Sequence, residues 1–225
     1  MKTFKGFICI LSLIIISSNI LLPQAKEDAF FYHQEGVKLF NQGKYESAIT
    51  SFSKVLEISQ KQYLREIESI SLNNIGLCYK NLNKFEMAAQ FYNQSLRIKK
   101  IFDNKSEILV VQSHLAIVYE KLKYFDRALE SYQEILKISE ILKDLKLKAK
   151  TLNNIGNIYY YMHEIKKARD YYNKSMEIST SIYDVALIAE TLRKIGQIYN
   201  DLDDKKEAIR IFNQAYELEK GENKQ

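Results

Sequence analysis

Apolar side chains recur along this chain at intervals of three and four. Leu152, Ile155, Gly156 and Tyr159 fall at i, i+3, i+4 and i+7 of one stretch, and Ile165, Ala168, Tyr172 and Met176 line up along the next. Each set lays one apolar stripe on an amphipathic helix. Between such stretches stand short polar runs, "NQGK" at 41 to 44 and "NLNK" at 81 to 84, of the kind that joins two helices tightly. The pattern predicts helical hairpins and an all-α protein.

The hairpin recurs at a fixed period, which has to be read before any local motif. Gly36, Gly76, Ala116, Gly156 and Gly196 stand forty residues apart, as do Ala48, Ala88, Ala128, Ala168 and Ala208. Leu39, Tyr79, Tyr119, Tyr159 and Tyr199 keep the same register, followed by Phe52, Tyr92, Tyr132, Tyr172 and Phe212. Glycine inside a helix costs about 1 kcal/mol relative to alanine, so its recurrence calls for a reason in packing. We expect Gly156 and Ala168 to let the two backbones of a hairpin approach, with Tyr159 and Tyr172 on either side of the crossing.

These residues resemble the tetratricopeptide repeat, which has a small residue at the eighth position of its unit, a bulky one at the eleventh, alanine at the twentieth and an aromatic at the twenty-fourth. "NNIGLCYKNLNKFEMAAQFYNQSL" carries all four. The resemblance implies a right-handed α-solenoid of five helix-turn-helix units, at about 29–68, 69–108, 109–148, 149–188 and 189–221, within a domain of residues 26–221. Here the unit is forty residues long and lacks the proline that ends the common 34-residue form, as in the long units of kinesin light chains and bacterial peptide-sensing regulators. Ile98 with Phe102, Ile138 with Leu142 and Ile178 with Ile182 predict an extra turn on each second helix. Asn104, Asp144 and Asp184 then stand where they would cap the following helix, Asn104 with Glu107 as a capping box.

The same resemblance implies that the first helices of the units line a groove. Carried over position by position, the groove residues include Asn73, Asn74 and Lys80 of the second unit, His114 of the third, Asn153, Asn154, Asn157, Tyr160 and Tyr161 of the fourth, and Glu190, Arg193, Lys194, Gln197 and Asp201 of the fifth. Asparagine offers donors and an acceptor together and can grip a peptide amide without choosing its sequence. Asn74 and Asn154 are the foremost candidates, with Tyr160, Tyr161, Arg193 and Lys194 supplying selectivity for aromatic or acidic ligand groups. Of the carboxylate-clamp positions that hold chaperone tails only Asn74 matches. The last unit presents Phe212, Tyr216 and Leu218 as an end surface, since repeat arrays need a polar cap to cover their final apolar face.

Composition narrows the reading further. The 225 residues include one proline, seven glycines and no tryptophan, which favours long helices. The net charge of +5, with basic and acidic residues alternating along the body, describes solvated helix faces and not a phosphate-binding block; no nucleic-acid partner is expected. Residues 1–25 place Lys2 and Lys5 before an apolar run from Phe7 to Ile16. That order describes a secretory signal or an N-terminal membrane anchor, hence export to the periplasm or cell envelope, with membrane contact through this segment only. Residues 222–225 are expected to be a disordered tail.

Catalytic chemistry has little to draw on. Cys9 and Cys78 are the only cysteines, and Cys78 reads as a small buried hydrophobe. His33, His114 and His163 are scattered, with no helical metal-ligand spacing and no phosphate-cradling glycine loop. No catalytic residue, metal or cofactor is assigned. The expected function is a non-catalytic scaffold docking a protein or extended peptide. The alternatives are an assembly protein that forms a homo-oligomer or docks end-on through its last helix, and a sensor or regulatory module of a signalling system.

Overall fold

The computed structural model describes residues 23 to 222. The expected leader, apart from its last three residues, and residues 223–225 of the expected tail lie outside the described residues. Ten helices and no strand occur among the described residues: α1 Pro23–Asn41, α2 Tyr45–Lys61, α3 Arg65–Asn81, α4 Phe85–Phe102, α5 Lys105–Lys121, α6 Phe125–Ile141, α7 Leu145–Tyr161, α8 Ile165–Ser181, α9 Val185–Asp201 and α10 Lys205–Glu222. None is long and apolar enough to cross a membrane. The chain divides into two compact units, one ending at Lys123 and the other beginning at Tyr124. α5 belongs to the first and α6 to the second.

Every connection is built alike. One residue in each has a left-handed backbone: Gly43, Tyr63, Asn83, Asp103, Lys123, Lys143, His163, Tyr183 and Asp203, with φ between 51° and 76°. They fall at every twentieth position. In most turns the amide just after this residue reaches back to the last turn of the helix, as Glu164 N does to Tyr159 O at 2.9 Å and Asp184 N to Ser179 O at 2.9 Å, the six-to-one bond that satisfies an orphan carbonyl at a helix end. The expected caps are present. Asn104, Asp144 and Asp184 accept from the amides of Glu107, Leu147 and Leu187. The capping box at Asn104 is only half formed in the expected sense, because the Glu107 carboxylate takes the Lys99 ammonium at 2.6 Å.

In the first unit, Ala48, Phe52, Ile75 and Cys78 form a core onto which Val37, Leu39, Ile49, Leu56 and Phe91 pack. A second cluster joins Ala29, Val55, Ile67 and Ile70. Burial pushes the Cys78 thiol up to about 12, so it stays a protonated, inert hydrophobe at neutral pH. In the second unit, Ala168, Tyr172 and Ile198 form the corresponding core with Tyr159, Ile165 and Ile195 around it.

The small residue of the repeat makes room for a ring. A Cβ added to Gly156 would stand 2.6 Å from two ring carbons of Tyr172, and one on Gly76 would stand 2.8 Å from Tyr92. The aromatic sixteen residues later on the partner helix fills the space at the glycine, and at Gly76 the Ala88 carbonyl of that helix would also stand 3.3 Å from the added Cβ, so ring and backbone share the room that the glycine leaves. A buried serine adds a second tie between the helices of a hairpin. Ser95 Oγ donates to Ser69 O at 2.7 Å and Ser175 Oγ to Ala149 O at 2.8 Å, eighty residues apart and in the same register.

Candidate ligand cleft of the second unit

The groove residues expected from the register separate into buried and open ones. In the first unit Asn73, Asn74 and His114 are all buried. His114 Nδ1 lies 3.2 Å from Asn73 Oδ1 and donates to it, and its ring sits 5.0 Å from that of Tyr92. Burial, helped by the nearby Lys80 ammonium, lowers the His114 imidazole to about 3, so it is neutral. Asn73 and His114 thus satisfy each other. Asn74 is buried with no partner for Nδ2, and Lys80 is half-buried, its ammonium lowered by desolvation.

In the second unit, seven of the expected residues come together. Asn157 and Tyr160 of α7 face Arg193 and Lys194 of α9 across a cleft of about 560 Å³. Tyr161, Glu190 and Gln197 extend its walls, while Tyr172 of α8 and Phe212 of α10 also line it. Helix geometry explains the grouping: 190, 193, 194 and 197 follow at i, i+3, i+4 and i+7 and so share one face of α9. The residues 157, 160 and 161 do the same on α7.

Hydrogen bonds fix the walls. The Tyr172 hydroxyl donates to Asn157 Oδ1 at 2.9 Å, which leaves the Asn157 amide hydrogens for other acceptors. Tyr160 donates its hydroxyl to Asp201, and Gln197 Nε2 donates to the same carboxylate at 2.6 Å. The bond to Asp201, more than burial, pushes the Tyr160 phenol up to about 12, and the same bond lowers the Asp201 carboxyl. Arg193 is paired with Glu219 of α10. Among the described residues Glu190 and Lys194, one turn apart on α9, take part in no ion pair. Tyr161, 53% exposed, stacks on Phe125 at 6.4 Å and 17° and stands at the lip.

Asn153 and Asn154 fall outside this lining. Asn153 is only 1% exposed, with neither its amide nitrogen nor its oxygen partnered, and Asn154 is half-buried. Of the three residues expected at the end of the array, Tyr216 is 60% exposed and Leu218 half-buried. Phe212 departs from expectation: its ring turns inward against Gly196, 2.8 Å from where a Cβ would be. Its presence in the cleft, like that of Tyr172, was not expected, because the aromatic register marked both as core. The edge of a core ring can serve as the floor of a cleft.

A family model described as tetratricopeptide repeat matches residues 31–101, 107–181 and 147–220. Among curated proteins, the Photosystem I assembly protein Ycf3 of Acaryochloris marina (strain MBIC 11017) is 27% identical over 84 residues, 37% of this chain. The chain spans about half the length of that relative, 49%. Among solved structures, BtubC from P. vanneervenii superposes with a TM-score of 0.74 at 18% identity, covering 97% of this chain and 92% of its own. A Podosopora anserina putative kinesin light chain with nearly identical TPR-like repeats gives 0.73 at 13% identity, covering 86% and 95%. These structural likenesses establish the all-α solenoid fold class. With nearly the whole body matched by the family model, this chain belongs to the tetratricopeptide repeat family.

Proposed function

We propose that the protein is a non-catalytic scaffold that docks an extended segment of another protein in the cleft between α7 and α9, and that it acts after export to the periplasm or cell envelope. The observation that carries the docking reading is the meeting of unpaired Glu190 and Lys194, the open amide of Asn157 and the tyrosines 160 and 161 around one 560 Å³ space. Ligand sites of 300 to 1,000 Å³, roughly, that combine apolar walls with a few convergent polar groups are the usual form of a binding cleft. The family is one of protein-binding scaffolds, and the curated relative is named for an assembly role. Export is supported by the order of Lys2, Lys5 and the apolar run that follows.

A photo-crosslinking side chain in place of Tyr161, at the lip of the cleft, tests the docking reading in cells. The expected result is a discrete crosslinked partner that disappears when Lys194→Glu and Asn157→Ala are added, with helical circular dichroism unchanged. Crosslinking that persists in the double variant places the partner elsewhere. Fractionation of cells expressing the full chain and one lacking residues 1–25 tests export: only the full chain should leave the cytoplasm.

A further inference from the structure

The repeat supplies its own standard for what covers each second helix. On α2, Ile49 and Leu56 pack into a core closed by Ile75 and Cys78 of α3. The residues at the Leu56 register position, Leu96, Leu136 and Met176, are buried or half-buried, each on a helix followed by another first helix. At that register on α10 stands Tyr216, 60% exposed; Ile209, also 60% exposed, holds the place of Ile49, taken by buried Ala89 on α4, half-buried Leu129 on α6 and exposed Arg169 on α8.

The leading face of α1 is not suited to that task. The positions that carry Ile75 and Cys78 on α3, Leu115 and Val118 on α5, and Ile155 and Ile158 on α7 are Glu35 and Lys38 on α1. Glu35 already accepts the Ser51 hydroxyl at 2.9 Å. A head-to-tail stack of copies would set these polar groups on Ile209 and Tyr216.

The charges of α10 point to a different mate. Its first half holds Lys205, Lys206 and Arg210 against Glu207, and its second half Glu217, Glu219 and Glu222 against Lys220. This order opposes the helix dipole, which favours acids at the start and bases at the end; α4 follows the favoured order, with Glu86 early and Arg97, Lys99 and Lys100 late. A helix of reversed polarity is the complement of α10, and a second α10 laid antiparallel is such a helix. We propose that α10 is a two-fold docking surface for a second copy of this chain. Ile209, Asn213 and Tyr216, at i, i+4 and i+7, form the seam, and Arg210 of one copy stands beside Glu217 of the other. A two-fold axis makes such a contact self-complementary. One helix a side falls below the roughly 800 Å² per partner of a standard stable interface, so the dimer is reversible. This surface is independent of the cleft reading.

Sedimentation of the full chain over a concentration series tests it. The expected result is a monomer–dimer equilibrium whose dissociation constant rises about tenfold or more with Tyr216→Glu. Arg210→Glu should weaken it as well, and adding Glu217→Lys should restore it. In a Cys9→Ser background, Asn213→Cys should form a disulfide-linked dimer on mild oxidation, whereas Asn173→Cys, at the same register on α8, should not. A full chain that stays monomeric overturns the proposal, as does association unchanged by Tyr216→Glu or an Asn213→Cys chain that fails to link. Because none of these variants lies in the cleft, partner crosslinking at Tyr161 can be lost or kept without bearing on this result.

Discussion

The ring of Tyr172 fills the space that a side chain on residue 156 would need, so closely that a Cβ there would lie 2.6 Å from it. Local helix propensity favours Gly156→Ala by about 1 kcal/mol, but overpacking a close-packed site costs about 1–3 kcal/mol. The ring is not a free end that swings away, because its hydroxyl is bonded to Asn157. Gly156→Ala should therefore lower the unfolding free energy by about 1 kcal/mol net, and Gly156→Val by more. Urea unfolding of the two variants, alone and with Tyr172→Leu to vacate the space, checks the order.

His114 makes stability depend on pH. Its folded imidazole, lowered to about 3 by burial and by Lys80, binds a proton less readily than the unfolded one near 6.5. The stability it supports is complete above pH 6.5 and is lost progressively as pH falls from there towards 3. At pH 5.5 the loss should be about 1 kcal/mol. His114→Gln, which keeps a donor for Asn73, should flatten the stability difference between pH 7.5 and 5.5 by that amount in matched urea titrations.

Tyr160 and Asp201 should titrate as partners. The carboxylate that accepts the phenol proton holds Tyr160 up near 12, so Asp201→Asn should bring it back towards the ordinary value near 10. Ultraviolet titration of phenolate, read as the difference between wild type and variant, should show one tyrosine ionising earlier. Tyr160→Phe should abolish that difference.

The left-handed turn residues offer a gain. Lys143, with φ 54°, is exposed and lies between helices, where a side chain costs about 1–2 kcal/mol relative to glycine. Part of that gain is offset by the extra freedom glycine gives the unfolded chain. Lys143→Gly should raise thermal stability by about 0.5 kcal/mol, while Lys137→Gly, within α6, should lower it by about 1 kcal/mol.

The helices, the period and the caps were legible because each is a local matter of spacing. Asp144 and Asp184 are short acceptors three residues before an amide that needs one, and this can be read without coordinates. The role of Gly156 was legible only by half: its smallness was evident, but whether backbone or ring used the space depends on how Tyr172 turns. The cleft was legible on α9, where one helix face carries Glu190, Arg193, Lys194 and Gln197. It was not legible for Asn73 and His114, forty-one residues apart, whose mutual bond depends on the depth at which α3 and α5 meet. The turn register at every twentieth residue is not legible in the sequence, because its occupants, from glycine to tyrosine, share a backbone angle and not a side-chain type.

Those nine equivalent turns bear on how such a chain changes length. Each connection closes with the same left-handed step, so a cut at any one of them meets a matching end at any other of its kind. Deleting or duplicating a whole forty-residue block leaves both junctions with the same turn, whereas adding a single residue to one turn would put the two helices that it joins out of register. Genetic shuffling of this gene should therefore tolerate gains and losses in whole hairpins and reject frame-preserving insertions of one or two codons at the turns.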